Sequence, residues 1–325
     1  MRGKRFTAII VTVILLLLSL TSSLSALDAS ATANAEVAMN PMQMSLFKFS
    51  ARQKGMDVYE TARAILRQVG YPESIIKAMP EDKLLQVADS RRIETKEEYV
   101  YISPDGEAVS SSKEQYEAEQ NMSDGISVLT TKPSTPTEYS WAKLQTWVMQ
   151  GNTDRTSYSY SAGCTWLTTP FWRMDDYIAV GVTEGSVKAE SALSIFTYTR
   201  TDLGTGASTD EYRTKSGQSE MKVPGKYAYA FFNLPNNLAS GGSDGSVSGI
   251  IYTGFYMMIW LDGTMTNASH TVPMNVVSAY FHQKVVVVTS VDVSFGGSGL
   301  GASLSISPQY GFNDIINNVD YEHIA

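Results

Sequence analysis

Apolar and polar residues alternate with a period of two through most of the chain after residue 138. In the stretch TSYSYSAGCTWL, one face carries Tyr158, Tyr160, Ala162, Cys164 and Trp166. Such alternation is typical of half-buried β-strands. Similar stretches, separated by Gly, Ser, Asn and Asp, predict eight or nine strands in all. Residues 139–325 are therefore predicted to form an antiparallel β-sandwich or barrel-like domain.

A helical period replaces this alternation in the segment before it, residues 36–128. Apolar side chains in GMDVYETARAILRQVGYP recur every three or four residues, at Val58, Ala62, Ile65, Leu66 and Val69. A glycine and a proline then end this helix. Two more helices are predicted in PESIIKAM and PEDKLLQVADS, because each begins with a proline followed by acidic residues.

A hairpin and a last helix complete this small α+β segment. EEYVYISPDGEAVSS is typical of a hairpin with a tight turn at 103–106. Ser112 and Gln115 form a capping box for the helix KEQYEAEQ. Residues 129–138, LTTKPSTPTE, are predicted to be a linker.

Charge density changes near this linker. Residues 36–137 hold 28 charged residues in 102, against 26 in 188 for residues 138–325, so the two parts differ in kind. Three hypotheses for the first part are open: an independent module, a subdomain resting on the β domain, and a removable pro-region.

The glycine-rich stretch KVVVVTSVDVSFGGSGLGASLSIS, residues 284–307, resembles a phosphate-binding loop in its glycine spacing. Such a loop must open a helix, whereas LGASLSIS alternates as a strand does. A two-residue turn at 297–298 pairs Phe295 with Leu300 and continues apolar against apolar along both strands. We therefore predict a β-hairpin here.

The first 35 residues have the three parts of a secretory signal peptide. Arg2, Lys4 and Arg5 precede the apolar run TAIIVTVILLLLSL, and Ala-x-Ala patterns end at Ala35. We expect cleavage after Ala35 and export of a secreted, extracellular protein. The alternative, an uncleaved anchor, is disfavoured because the run is shorter than the roughly 20 residues that a spanning helix needs.

Charge and cysteine content exclude several classes of function. The chain has a net charge of −8, and Lys284 is the only Lys or Arg from Tyr227 to the end. Nucleic acid is therefore not an expected partner, because its binding needs a basic patch. Cys164 is the only cysteine, so no intramolecular disulfide forms and stability depends on the core.

Candidate catalytic residues lack the context that their chemistry needs. Ser243 in GGSDG matches a nucleophile elbow but is followed by a strand rather than a helix. The histidines, at positions 270, 282 and 323, have no second ligand at helical spacing, so no metal site is predicted. Cys164 is expected to be a buried, inert thiol. Asp175 and Asp176, as strand neighbours, point to opposite faces and cannot act as a pair. No catalytic residue and no cofactor are predicted.

The stretch GIIYTGFYMMIWLDG has two apolar faces. Tyr252, Tyr256 and Trp260 fall on one of them and form an aromatic ladder on which sugar rings could stack. The alternative is a central strand that the helical segment or the sandwich covers on both sides. A membrane-inserting hairpin is a third hypothesis, disfavoured by the absence of polar alternation.

The order of features resembles a group of uncharacterised exported proteins of Gram-positive bacteria. The resemblance rests on the signal peptide, on MPEDKLLQVADS and YVYISPDGEAVSSSKE, and on FFNLP and AYFHQ in the β domain. It implies export and this layout, and it implies no activity.

The sequence favours a secreted, non-enzymatic β-domain protein that binds a ligand at the cell exterior. The expected ligand is a cell-wall or environmental polysaccharide, or a protein, with Tyr252, Tyr256 and Trp260 as the proposed contacts for a sugar. Two alternatives are a membrane-active or pore-forming protein and a hydrolase whose active site is assembled from residues far apart in the sequence.

Overall fold

The computed structural model describes residues 36–102, 107–124, 140–170, 173–241, 247–265, 272–283, 291–296, 303–307 and 312–323. The predicted signal peptide, the turn at 103–106, the linker at 129–138 and the turn at 297–298 lie outside these residues. So do Ser243 and His270.

Helices make up the smaller part of the secondary structure. They are α1 (Pro41–Gln53), α2 (Val58–Gln68), α3 (Glu73–Ala78), α4 (Glu81–Asp89), α5 (Lys113–Asp124) and α6 (Gly217–Glu220). Capping boxes start two of them: Asn40 with Gln43 opens α1, and Asp57 with Glu60 opens α2. The predicted box of Ser112 with Gln115 is also formed, and it precedes α5.

Strands make up the larger part. They are β1 (Glu36–Met39), β2 (Ser90–Ile102), β3 (Ala108–Ser111), β4 (Ser140–Gly151), β5 (Ser157–Trp166), β6 (Asp175–Val182), β7 (Ser186–Asp202), β8 (Ser208–Ser216), β9 (Tyr227–Asn233), β10 (Leu238–Gly241), β11 (Val247–Thr264), β12 (Val272–Gln283), β13 (Asp292–Gly296), β14 (Ser303–Ser307) and β15 (Phe312–His323). The described residues after position 138 contain twelve of these strands rather than eight or nine, because several are short.

The strands form three antiparallel sheets. A nine-stranded sheet has the order β1-β2-β4-β5-β11-β7-β8, with β10 beside β11 and β3 beside β2. A four-stranded sheet has the order β15-β12-β6-β9, and β13 pairs with β14. Both larger sheets are open, which confirms a mainly β, sandwich-like fold for the described residues.

Three apolar cores separate four layers. The largest core lies between the two main sheets and contains Tyr160, Phe196 and Tyr280. A second core lies between the opposite face of the large sheet and the helices α2 to α4. A third lies between the small sheet and the β13–β14 hairpin. Each main sheet is therefore covered on both faces.

The segment before the predicted linker is not a separate body. Strand β2 hydrogen-bonds to β4 along nearly its whole length, from Ser90 opposite Gly151 to Ile102 opposite Ser140. Trp147 Nε1 donates to the carbonyl oxygen of Val69 at 2.8 Å, which fixes the end of α2 to the sheet. Residues 35–325 accordingly form one compact unit.

The predicted hairpin exists, but its register differs from the prediction. Phe295 pairs with Leu304 rather than Leu300, and Val293 pairs with Ile306. The shift is an even number of residues, so every side chain keeps its face and apolar residues still meet apolar residues. The described pairing reaches Gly296 opposite Ser303.

No helix within the described ranges is long and apolar enough to cross a membrane.

Candidate functional site

A groove of about 320 Å³ opens beside the end of the large sheet. Its walls come from α4, from the connection between β4 and β5, and from the adjacent ends of β7 and β11. The lining is rich in polar side chains, among them Gln86, Asp89, Thr153, Asp154, Ser159 and Asp262.

Asp262 is a buried carboxylate in the wall of this groove. It ends the apolar run of β11 and lies opposite Ser159 of β5. Its Oδ2 accepts hydrogen bonds from Lys83 Nζ at 2.7 Å and Gln86 Nε2 at 2.8 Å. Its Oδ1 accepts from Ser159 Oγ at 2.9 Å and Trp260 Nε1 at 2.7 Å. Four donors, one of them the buried ammonium group of Lys83, hold this carboxylate in a fixed orientation, as a buried charge requires.

Two more carboxylates shape the opposite wall. Asp89, at the end of α4, accepts from Thr153 Oγ1 at 2.6 Å and from the Thr153 backbone N–H at 3.2 Å. Asp154 accepts from the backbone and the hydroxyl of Thr156 and from the Ser157 hydroxyl. These bonds lower the pKa of Asp154, the hydroxyl of Thr156 being the largest cause. Aspartate followed by hydroxyl residues is a turn-forming pattern, and here it fixes the β4–β5 connection.

The groove can accept hydrogen bonds and can offer one apolar contact. Each of the three carboxylates already accepts three or four hydrogen bonds from the protein, so their positions are set before a ligand arrives. Leu85 lines the mouth and is 45% exposed. Lys188, an exposed side chain in the register position opposite Asp262, supplies a cation.

The aromatic ladder predicted on β11 is not an exposed surface. Tyr256 is 3% exposed and Trp260 is fully buried, both in the core beneath the helices. Tyr252 is half-buried and packs against the other core, with its ring centroid 5.6 Å from that of Tyr198. The structure thus adopts the alternative of a central strand that is covered on both faces.

A bulge explains why the three aromatic residues do not share a face. Thr253 pairs with Thr199 and Tyr256 pairs with Thr197, so β11 has one extra residue there. Gly254 occupies this position with a φ of +63°, a conformation that glycine adopts without strain. The extra residue moves Tyr252 to the opposite face from Tyr256.

A second polar cluster lies in the core between the main sheets. Asp176 Oδ1 is 2.9 Å from His282 Nδ1, and the Tyr280 hydroxyl donates to Asp176 Oδ2. Trp166 Nε1 donates to the Tyr280 hydroxyl at 2.7 Å. His282 is therefore a satisfied core histidine, as the sequence suggested. Asp175 lies on the other face of β6, where it accepts from Asn233, which confirms that the two aspartates do not act as a pair.

The remaining candidates carry no chemistry that the structure supports. Cys164 is buried, and burial raises the pKa of its thiol well above the ordinary value, so the nucleophilic thiolate is disfavoured. His323 lies in β15. Within the described ranges, no three side chains of His, Cys, Asp or Glu come together as metal ligands would.

Sequence reasoning missed Lys83 and Asp262. Lys83 belongs to the helix PEDKLLQVADS, and Asp262 follows the longest apolar run of the β domain. An aspartate at the end of an apolar strand, such as Asp262, needs a partner for its charge where it is buried. Its partner Lys83 is 179 positions away in the sequence. Only the fold brings the two together.

No protein-family model matches this chain. No curated protein matches it either.

Proposed function

We propose that the protein is a secreted, non-enzymatic β-sandwich protein of a Gram-positive bacterium that binds a polysaccharide in the groove beside Asp262. The observation that carries this proposal is the lining of the groove, where carboxylate, amide and hydroxyl groups stand around an exposed leucine. The signal-like N-terminal sequence supports export.

A polyhydroxylated ligand suits this lining better than an anionic one. Sugar hydroxyl groups can donate to the carboxylates of Asp89 and Asp154, and the apolar face of a ring can contact Leu85. Because the protein's own hydrogen bonds hold these side chains in place, binding loses little conformational freedom. Binding sites of this kind combine a few oriented polar groups with an apolar contact.

The same hydrogen bonds favour binding over hydrolysis. A glycoside hydrolase needs a protonated and an ionised carboxyl group on opposite sides of the bond that breaks. Hydrogen bonds lower the pKa of Asp154, which favours its ionised form, and the carboxylate of Asp262 is ion-paired with Lys83 at 2.7 Å. The pore-forming alternative rested on β11 and on the long Ser/Thr-rich alternating strands, and burial of both faces of β11 leaves the first of these grounds without support.

The test is co-sedimentation of the chain from Ala35 to Ala325 with insoluble polysaccharide, using purified cell wall, cellulose and chitin in separate tubes. We expect the protein to pellet with at least one of them. Replacing two exposed lining residues, in Leu85→Ala with Lys188→Ala, should weaken binding about tenfold or more, since each contributes roughly 1 kcal/mol or more.

The matched control is Leu46→Ala, which removes an exposed leucine from α1, outside the groove. Its binding should equal that of the unchanged protein. A protein that stays in solution with every polysaccharide, or that loses binding equally in both variants, would refute the proposed site.

A further inference from the structure

Helix α1 carries an apolar stripe that the described fold does not cover. Met42, Leu46 and Phe49 are 74%, 63% and 63% exposed. Their spacing of four and three residues places them on one side of the helix. Met44 and Ala51, on the opposite side, are buried in the protein. The helix therefore has two apolar faces, and the fold uses one of them.

The helix itself carries charge opposite to that of the chain. Within α1 and the residue after it the sequence has Lys48, Arg52 and Lys54 and no acidic residue, whereas the whole chain has a net charge of −8; the nearest acids in the sequence are Glu36 and Asp57. Lys48 Nζ donates to the carbonyl oxygen of Ser90 at 2.6 Å, so its ammonium faces the protein. Arg52 and Lys54 are exposed. Two cations thus stand beside the stripe at the end of the helix.

We propose that α1 docks the protein on an anionic lipid bilayer, with Met42, Leu46 and Phe49 entering the interface and Arg52 and Lys54 contacting the lipid headgroups. An apolar stripe beside cations is the pattern of helices that lie in a membrane interface. The capping box of Asn40 and Gln43 already holds the first turn, so the helix need not fold upon contact.

A second copy of the chain fits this surface less well. A stable dimer buries about 800 Å² on each partner, and three side chains cover only part of that area. A symmetric pair of helices packed in parallel would also bring two sets of cations together. Docking on a membrane is independent of polysaccharide binding, because the walls of the groove include α4 and the β4–β5 connection and no residue of α1.

The test is flotation with lipid vesicles, using the chain from Ala35 to Ala325. This part is one compact unit with all three cores, and it lacks the apolar run of residues 7–20, which would partition into lipid itself. One set of vesicles contains phosphatidylglycerol with phosphatidylcholine, and the other contains phosphatidylcholine alone. We expect binding to the anionic set, and a partition coefficient reduced at least about tenfold by Leu46→Ser with Phe49→Ser.

Two further variants separate the contributions. Arg52→Gln with Lys54→Gln, both at exposed polar positions, should reduce the partition to anionic vesicles roughly fivefold per cation removed. This charge variant also keeps the test decisive if the apolar variant does not fold. Leu238→Ser removes an exposed leucine outside both sites and should bind vesicles as the unchanged protein does.

The proposal is overturned if the protein stays with the buffer in both sets, or if both α1 variants bind as the unchanged protein does. It is also overturned if the protein sediments as a dimer without lipid and Leu46→Ser with Phe49→Ser makes it monomeric, since the occupant is then a second copy. Wall binding that persists in these variants shows that the groove and the helix act separately.

Discussion

The ion pair of Lys83 and Asp262 should be the strongest single tie between the helices and the large sheet. Both side chains are nearly inaccessible to water, and the two charged atoms are 2.7 Å apart. At an effective dielectric constant of about 20, the Coulomb attraction at this distance is roughly 6 kcal/mol before desolvation is subtracted. Removing one partner leaves the other charge buried without its counter-ion, which costs about 3–5 kcal/mol in comparable sites.

Lys83→Met tests this value, because methionine keeps the length of the lysine stem and removes the ammonium group. Gln86, Ser159 and Trp260 still donate to the carboxylate, so we expect the lower end of the range, about 3 kcal/mol. For a chain of this size that corresponds to a melting temperature roughly 6–12 °C lower. The measurement is thermal unfolding followed by circular dichroism.

A double-mutant cycle separates the pair from its surroundings. Asp262→Asn alone should destabilise by a similar amount, since it leaves the lysine buried. The combination with Lys83→Met should cost clearly less than the two single changes added together, by about 2 kcal/mol or more. Single changes that cost under about 1 kcal/mol, or costs that simply add, would refute the argument that the buried charges depend on each other.

Three other predictions concern the buried aromatic residues. The Tyr256 hydroxyl is buried and has no hydrogen-bond partner in the described structure. Tyr256→Phe should therefore leave the free energy of unfolding unchanged or raise it by up to about 1 kcal/mol. A Cβ atom at Gly163 would lie 1.9 Å from that hydroxyl. Gly163→Ala should therefore destabilise the protein by about 2 kcal/mol, and by less when it is combined with Tyr256→Phe. Thermal unfolding of the two single variants and of their combination would show this. Burial raises the pKa of Tyr99 and of Tyr177 to about 12, and in the unfolded chain these groups ionise near pH 10. Their contribution to stability is complete below about pH 10 and is lost as the pH rises towards about 12. Between about pH 9 and about pH 11.5, the double variant Tyr99→Phe with Tyr177→Phe should therefore lose less stability than the unchanged protein, as urea unfolding at the two pH values would show.

Local rules predicted the helices that have one apolar face and missed the helix that has two. Helix α2 shows a clear apolar period and formed as expected; the structure adds a capping box of Asp57 with Glu60. Helix α1 has apolar residues on opposite sides, which cancels the period of a single face. A sequence pattern cannot distinguish such a helix from an irregular apolar segment.

Strand β2 was missed in most of its length for a different reason. Its sequence SRRIETKEEYVYI is rich in charge, and only the last part alternates. The strand forms because β1 and β4 flank it in the sheet, and pairing of that kind is decided by tertiary structure rather than by propensity. The fall in the density of charged residues near residue 138 therefore does not mark a boundary between two separately folded bodies.

The faces of the strands were predicted correctly except where a bulge intervened. The alternation on β5 places Tyr158, Tyr160 and Cys164 in one core, as expected. The bulge at Gly254 changed the face of Tyr252; an isolated glycine within a strand can signal such a bulge, but the alternation was counted straight through it. In the last hairpin an even shift preserved every face, so apolar matching could not select the register.

The groove lay beyond sequence analysis because its residues come from six helices and strands and from the β4–β5 connection. Gln86, Asp154 and Asp262 are far apart in the chain, and each belongs to an ordinary local pattern. What gives them a shared role is the meeting of α4 with the ends of β5 and β11.

Hydrogen–deuterium exchange tests the binding site most directly. The chain from Ala35 to Ala325 would be compared with and without a saturating soluble oligosaccharide prepared from the polysaccharide that pellets it. The account predicts slower exchange in residues 151–157 and in α4, which form the walls of the groove. Protection confined to another region, such as the cleft beside Tyr101 and Trp141, or no protection in the presence of bound sugar, would contradict it.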